Sequence, residues 1–418
     1  MSVVVIGSGL AGLVTALSLP ITCSIVIIEK EAKIGGNSIK ASTGINFVTP
    51  SMNDSSQFIE DTIKGGHGVA NRAIVETLVL NSLKARRFLE SQGINFTKVS
   101  KTGGHSCART WSTDGAIGST LVTTLKEKIS QRPNIKILTN TILKQIKLIN
   151  NQTEGVFVDR LETGTIEKLY IKCNSVVLAS GGYAGADYLS ALPTTSGLFA
   201  SGDVIKLCID AGIAVENLDS IQIHPTSFID PGNPYARSKI LAPESLRAYG
   251  GMLIDKTGNR FVDELAPRDV IVNSIKKAHS IFSNLPAVLL ICPPETLEKF
   301  GGGSKFYLSK NLLEPLSLLE IVNKYKIHEA TLRIVLSPIG NPAKWFVGVV
   351  TPAIHYTMGG IVVDENTRVY NTNGTPITGL YAVGETTTGL HGENRLAGNS
   401  LLECVVFGMI CASTIYEN

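Results

Sequence analysis

Gly7, Gly9 and Gly12 spell G-x-G-x-x-G at the start of the chain, and Glu29 closes the apolar run that follows. The first two glycines let backbone turn tightly and approach a pyrophosphate. The third lets a helix pack closely on a strand, with its N-terminus facing the phosphates. A carboxylate at Glu29 accepts hydrogen bonds from a ribose and disfavours a 2′-phosphate, so FAD or NAD fits better than NADP. Other residues carry charge without declaring a use. In "NRFVDELAPRDV", Arg268 stands beside Asp269 and just after Asp263 and Glu264. It is a surface ion pair or a working cation, and those twelve residues do not decide which. Glu244 and Arg247 share one face of a turn if the stretch is helical, and alone they read as a solvated pair. His224 before Pro225 reads alone as a buried, satisfied histidine. Arg395, in the glycine loop "HGENRLAGN", is hardest to assign to mere surface.

The segment after Glu29 separates the two dinucleotides. In "EKEAKIGGNSIKASTGIN", Lys30 is followed by the Gly35-Gly36 pair, then by Asn37, Ser38, Ser42, Thr43 and Gly44. Small and polar residues there let backbone lie against a bulky flat ring. NAD enzymes usually run straight into another strand–helix unit at this point. Ala179, Gly181 and Gly182 end a later strand in "ASGGYA", and Gly384 and Glu385 end another in "GLYAVGE". The two ends of the chain therefore build one cofactor site together. Gly398, Ser400 and Leu401 open the last helix. Ser400 and Glu403 match an S-x-x-E capping box, which would expose a helix N-terminus able to stabilise negative charge on a reduced ring.

These residues need elements to position them. "SVVVIG" is a buried parallel strand, "LVTALSL" a helix that Pro20 ends, and "SIVIIEK" the second strand. "ETLVLNSLKARRFLESQG" predicts one helix and "STLVTTLKEKI" another. Residues 135–178 predict a meander that returns to a buried strand in "SVVLASGG". Residues 219–355 form a separate region, with a hairpin in "GGMLIDKTGNRFVDE", an apolar strand in "AVLLIC" and polar helices. The fold class is α/β: a discontinuous Rossmann-like domain, 1–218 with 356–418, carrying an inserted α+β domain, 219–355.

With 418 residues, 44% hydrophobic and 17% charged, the chain is long enough for two cores and too apolar for extensive disorder. A net charge of +3 without basic blocks excludes nucleic-acid binding. The seven cysteines form no C-x-x-C pair and no zinc spacing, so reduced thiols and no metal are expected. No run of 18 apolar residues appears, so no membrane span is expected. The first apolar run lacks a basic flank. A cytoplasmic location is the default, and an organellar one if a leader has been removed.

Nine segments occur in order: "VVVIGSGLAG", "EKEAKIGGNSIKASTGIN", "GGHSCARTW", "VVLASGGYAG", "IHPTSF", "ESLRAYGG", "GNRFVDELAPRDV", "HYTMGG" and "HGENRLAGNSLLE". Together they resemble the soluble fumarate reductase family of FAD proteins, its eukaryotic members especially, over nearly the whole chain. The resemblance implies that the inserted domain is the capping, or clamp, domain of that family. It implies that His224, His355 and Arg395 hold the carboxylates of fumarate or a similar small dicarboxylate. Arg268 would protonate the substrate carbon opposite the one that takes hydride from flavin N5, with Glu244 and Arg247 returning its proton. Arg268 is then expected to turn away from Asp269 and Glu264. No histidine stands in "IKASTGIN", where respiratory relatives attach FAD, so the FAD is expected to be non-covalent. No haem, flavodoxin or iron–sulfur signature is present, so a separate electron donor, or a fused or partner redox module, is implied. Pro243 replaces a threonine common in bacterial members, and Val204 a usual glycine; a lost hydroxyl contact and a small local change are expected. The rival readings are a flavin enzyme of another activated alkene, such as a urocanate, an acrylate or a ketosteroid, and a non-catalytic FAD-binding redox protein.

Overall fold

The computed structural model describes residues 1–49, 54–162 and 164–417. They divide into two packed units. The first comprises Met1–Asp187, Gly197–Gln222 and Tyr356–Asn418; the second comprises Tyr188–Ser196 and Ile223–His355. The short segment Tyr188–Ser196 belongs with the second unit, which nothing in its composition foretells.

In the first unit a sheet runs in the order Ile135–Leu138, Ser24–Ile28, Ser2–Ile6, Ser175–Leu178, Pro376–Ala382, Gln152–Glu162, Thr141–Ile149. The central strands pair in parallel, with Val4 opposite Val26 on one side and Val176 on the other. "VVVI" and "SVVL" are buried throughout, as strands covered on both faces must be. Helix Leu10–Ser18 follows the first strand, and the last helix, Asn399–Glu417, packs on it with Gly408 against Val14. That last helix is apolar and long enough to cross a membrane by length and composition alone. Its apolar residues, among them Leu402, Val405, Cys411 and Ile415, lie instead in this unit's core.

The predicted single helix around residues 76–93 is two: Arg72–Leu80 and Ser82–Ser91. Asn81 breaks it. Its side-chain amide donates to Thr77 O at 2.9 Å, and its backbone leaves the helical region.

The second unit is built on a six-stranded sheet, with Ile240–Leu241, Ile221–Phe228, Trp345–Thr357, Val288–Cys292 and Met252–Ile254 in that order, and Glu314–Leu316 also pairing Trp345–Thr357. Strand "VLLIC" faces two cores in alternation: Val288, Leu290 and Cys292 enter one, Leu289 and Ile291 the other. Leu246, Ile271 and Ile275 join the first of these. That cluster therefore seats the helices Glu244–Ala248 and Arg268–Lys277 on the same side of the sheet. The hairpin predicted in "GGMLIDKTGNRFVDE" has only its first arm as a strand. Its second arm shrinks to a single bridge, Ile254 with Arg260. The reason is a carboxylate: Glu264 accepts from Leu253 N at 2.8 Å and from the Arg260 guanidinium, which folds the second arm back before it can pair.

Candidate active site

The residues expected to bind the nucleotide all lie in the first unit. Gly7 has φ +108°, and a Cβ there would sit 2.3 Å from Ala179 O. At Gly12 it would sit 2.1 Å from Gly7 O, so helix and strand touch only because both are glycine. Gly9 is different: a Cβ would meet nothing closer than Ser38 Oγ at 3.6 Å. The helix start behind it has no side-chain cap, although Ser38 Oγ accepts from Leu10 N. Glu29 is buried and accepts from Ser8 N at 3.1 Å, Ser8 Oγ at 2.5 Å and Glu31 N at 2.9 Å, which leaves about one of a carboxylate's four lone-pair sites. Lys30 binds Ser201 and Asp203, and Asn37 Oδ1 accepts from Gly197 N. Gly36 and Gly44 both have positive φ, and Ser42 and Thr43 are exposed. Gly181, at φ +74°, has open space where a side chain would be, whereas Gly182 is tight against Thr357 and Glu385. A helix start at a glycine turn, open glycine edges and exposed small polar residues fit a bound FAD. Val204 is buried in the helix Asp203–Asp210, which starts from Gly202 at φ +77°.

Glu385 accepts from Thr357 N at 3.1 Å. Burial pushes its carboxyl up to about 8, against the Thr357 N–H; the charge of Glu403 raises it further and Arg395 opposes. The S-x-x-E reading of Ser400 and Glu403 is corrected. The helix begins at Asn399, so Ser400 already lies inside it, half-buried, beside buried Leu401. Glu403 does not reach back to a cap. One of its oxygens accepts from Tyr356 OH and the other lies 2.7 Å from His391 Nε2. Arg395, buried, has its guanidinium over the Tyr356 ring at 4.6 Å, and its Nη2 donates to Gln222 Oε1 at 3.1 Å. Gln222 also donates to Arg395 O at 2.8 Å, so it grips this residue from two directions. Gly398, at φ +82°, lies against Asn46.

The second unit gathers the other cations. The rings of His224 and His355 stand 5.3 Å apart between centroids. His355 Nδ1 meets Thr195 Oγ1 at 2.8 Å, which gives the segment Tyr188–Ser196 its place in the site. Burial, then the charges of Arg268, His355 and Arg247, hold His224 well below the usual imidazole value. Arg247 is 4% exposed, and its Nη1 donates to Glu264 O. Burial lowers its guanidinium to about 10. Arg268 pairs with Glu244, Nη2 to Oε2 at 3.3 Å. Glu264 is engaged by Arg260 and Asp269 is exposed. Arg268 is the first residue of its helix, following Pro267, where a fixed cation runs against the helix dipole by about 0.3–1 kcal/mol.

Sequence reasoning missed several of these groups. Thr195, Gln222, Tyr356 and His391 escaped it because nothing local marks a polar residue that will meet a distant partner. Gln222 and Tyr356 carried one usable signal, since each sits on a strand close to a histidine already singled out.

Glycine turn, buried Glu29 and a buried Arg–Tyr–Glu cluster in one unit, with paired imidazoles and a Glu–Arg ion pair in the other, fit a flavoprotein oxidoreductase. A family model described as an FAD binding domain matches residues 2–401. Fumarate reductase 1 of Saccharomyces cerevisiae is 34% identical, over 99% of this chain and 98% of its own. L-aspartate oxidase 1 of Ralstonia nicotianae is 33% identical, over 99% of this chain and 74% of its own. The solved open conformation of a flavocytochrome c3 fumarate reductase is similar across 100% of this chain and 78% of its own, with a TM-score of 0.84 and 26% identity. The chain belongs to the soluble fumarate reductase family of FAD-binding proteins.

Proposed function

We propose that this protein reduces fumarate to succinate, with FAD bound without a covalent link and electrons arriving from a separate donor. One observation carries the reading. His224, His355, Arg247 and Arg268 form a cluster of donors, in which the two arginines act on the imidazole of His224 and Glu244 pairs with Arg268. So much positive potential around one buried and one half-buried imidazole suits a dianion and suits no neutral alkene. In the first unit, Arg395 has a planar guanidinium of the shape that grips a carboxylate. Reduced FAD, when bound, supplies the hydride. The chain's own residues do the rest. His224, His355 and Arg395 bind the two carboxylates and stabilise the charge that builds on one as the alkene accepts hydride. Arg268 gives a proton to the other alkene carbon, and Glu244 and Arg247 return it. A neutral guanidine is costly, because arginine keeps its proton above a pKa of about 12 in water. Glu244, held in direct contact with Arg268, stands as the next proton source.

Anaerobic single-turnover reoxidation tests this. The dye-reduced, FAD-loaded protein should regain its oxidised flavin spectrum on adding fumarate. It should respond far more slowly to urocanate, an acrylate or a 3-ketosteroid, and the oxidised protein should not be reduced by L-aspartate. A flavin that stays reduced with fumarate defeats the proposal.

A further inference from the structure

Outside the groups used above, a buried polar cluster in the first unit centres on Arg109, which is fully buried. Every N–H of its guanidinium has a place. Nε donates to Asp54 at 2.9 Å, and Nη1 donates to Asp61 at 2.5 Å and meets His105 Nδ1 at 3.0 Å. Nη2 donates to Ser106 Oγ at 3.3 Å and to Cys107 Sγ at 3.0 Å. A guanidinium has donors and no acceptor. His105 Nδ1 must therefore offer its lone pair, which puts the imidazole proton on Nε2. Nε2 lies 2.8 Å from Ala397 O, so it donates there.

That carbonyl is two residues from Arg395. It also accepts from Asn46 Nδ2 at 2.7 Å. Asn46 N donates to Gly398 O, and Asn46 Nδ2 donates to Asn399 Oδ1 at 2.7 Å. The side chain of Leu396 packs on Gly65 and Gly104. Arg395 Nη1 in turn donates to Leu396 O at 3.3 Å. The backbone from Leu396 to Asn399 is thus a fixed mount, and the arginine leans on it.

We infer that His105 is a positioning residue for Arg395: its tautomer, set by Arg109, pins the Ala397 carbonyl and so fixes the arginine that binds the substrate carboxylate. The inference rests on the reading of Arg395 as a carboxylate ligand. Two substitutions separate the two contacts of the ring. In His105→Gln the amide nitrogen takes the place of Nε2 and keeps the bond to Ala397. In His105→Asn the amide oxygen takes the place of Nδ1, keeping the acceptor for Arg109 but falling short of Ala397.

Both variants are purified with FAD bound, and two readouts are taken. His105→Asn should raise KM for fumarate about five- to tenfold, the size of one lost hydrogen bond, with kcat within about twofold. His105→Gln should restore KM to within about twofold of the unsubstituted protein. Amide hydrogen exchange over residues 396–399 should quicken in His105→Asn and not in His105→Gln. Equal KM values in the two variants overturn the inference, and so does unaltered exchange in His105→Asn. If the unsubstituted protein fails to turn over fumarate, the functional reading falls by itself, and the exchange comparison still decides whether His105 fixes the mount.

Discussion

Arg268 has a carboxylate partner, and its identity matters more than its existence. A pair with Asp269 would have held the guanidinium in solvent as a spectator. Glu244 lies instead on a helix seated by the same apolar cluster as Arg268's own, with Arg247 one turn on. Arg268→Ala should keep the bound-flavin spectrum and lose fumarate turnover by at least ~10²-fold, the scale of a lost general acid; stopped-flow reoxidation reads both. His224 makes a second, pH-dependent claim. Its Nδ1 lies 2.8 Å from Thr226 O, so that nitrogen is the donor and Nε2 bears a lone pair in the neutral ring. With its pKa held below the usual value, the free protein has His224 neutral at pH 7. A dicarboxylate favours the protonated ring. Binding should therefore take up about one proton at neutral pH and weaken as pH rises, by up to ~10-fold per unit. Titration calorimetry in two buffers of different ionisation enthalpy measures the uptake. Zero uptake would mean that the ring changes tautomer instead, with Thr226 N–H donating to Nδ1 from 3.2 Å.

At the scale of elements, the site depends on a few backbone positions that exclude side chains. Gly398 precedes the last helix at φ +82°, with Asn46 Oδ1 only 2.3 Å from where a Cβ would be. Gly398→Ala should cost ~1–2 kcal/mol from the left-handed backbone alone, with more from displacing Asn46. Lower FAD content on purification and a lower Tm would show it. The Arg109 cluster fastens other segments of the same unit. Burial pushes the carboxyls of Asp54 and Asp61 up, but hydrogen bonds from Thr49, Ser106, Cys107 and Arg109 outweigh it, and both end below their usual values. Depressed carboxylates stabilise the fold above the unfolded value, near 4, and that stability is lost as pH falls through the folded values. Arg109→Met, which leaves two buried carboxylates unpaired, should cost ~3–5 kcal/mol at pH 7 and less as pH drops toward 3. Denaturant titrations at both pH values check the convergence.

For the whole molecule, the residues proposed for cofactor binding and those proposed for proton transfer divide between the units. Every residue assigned to FAD belongs to the first, and the Arg268, Glu244 and Arg247 set belongs to the second. Each unit has its own apolar core. Removing FAD should therefore lower the melting of the first unit. A hundredfold excess of FAD over its Kd is worth about 2.7 kcal/mol to whatever binds it. Calorimetry of apo- and holoprotein, with limited proteolysis to assign fragments, should show the shift in fragments from residues 1–187 and 356–417 first. Equal loss of protection across residues 223–355 would count against this division.

The chain by itself determined the parallel strands, the glycine turn and its acid, and the separateness of the region around 219–355. Those features are local: β-branched runs, glycine spacing and apolar periodicity act over a few residues and leave their mark in order. The family resemblance placed His224, His355, Arg268 and Arg395, which no local pattern distinguished from buried or surface residues. Tertiary structure alone decided who their partners are. Glu403 looked like a helix cap and is the shared acceptor of Tyr356 and His391. Tyr188–Ser196 looked like connecting chain and brings Thr195 to His355. The physical reason is the same in each case. A buried polar group must find a partner somewhere, and the sequence records the need while only the packed chain supplies the neighbour.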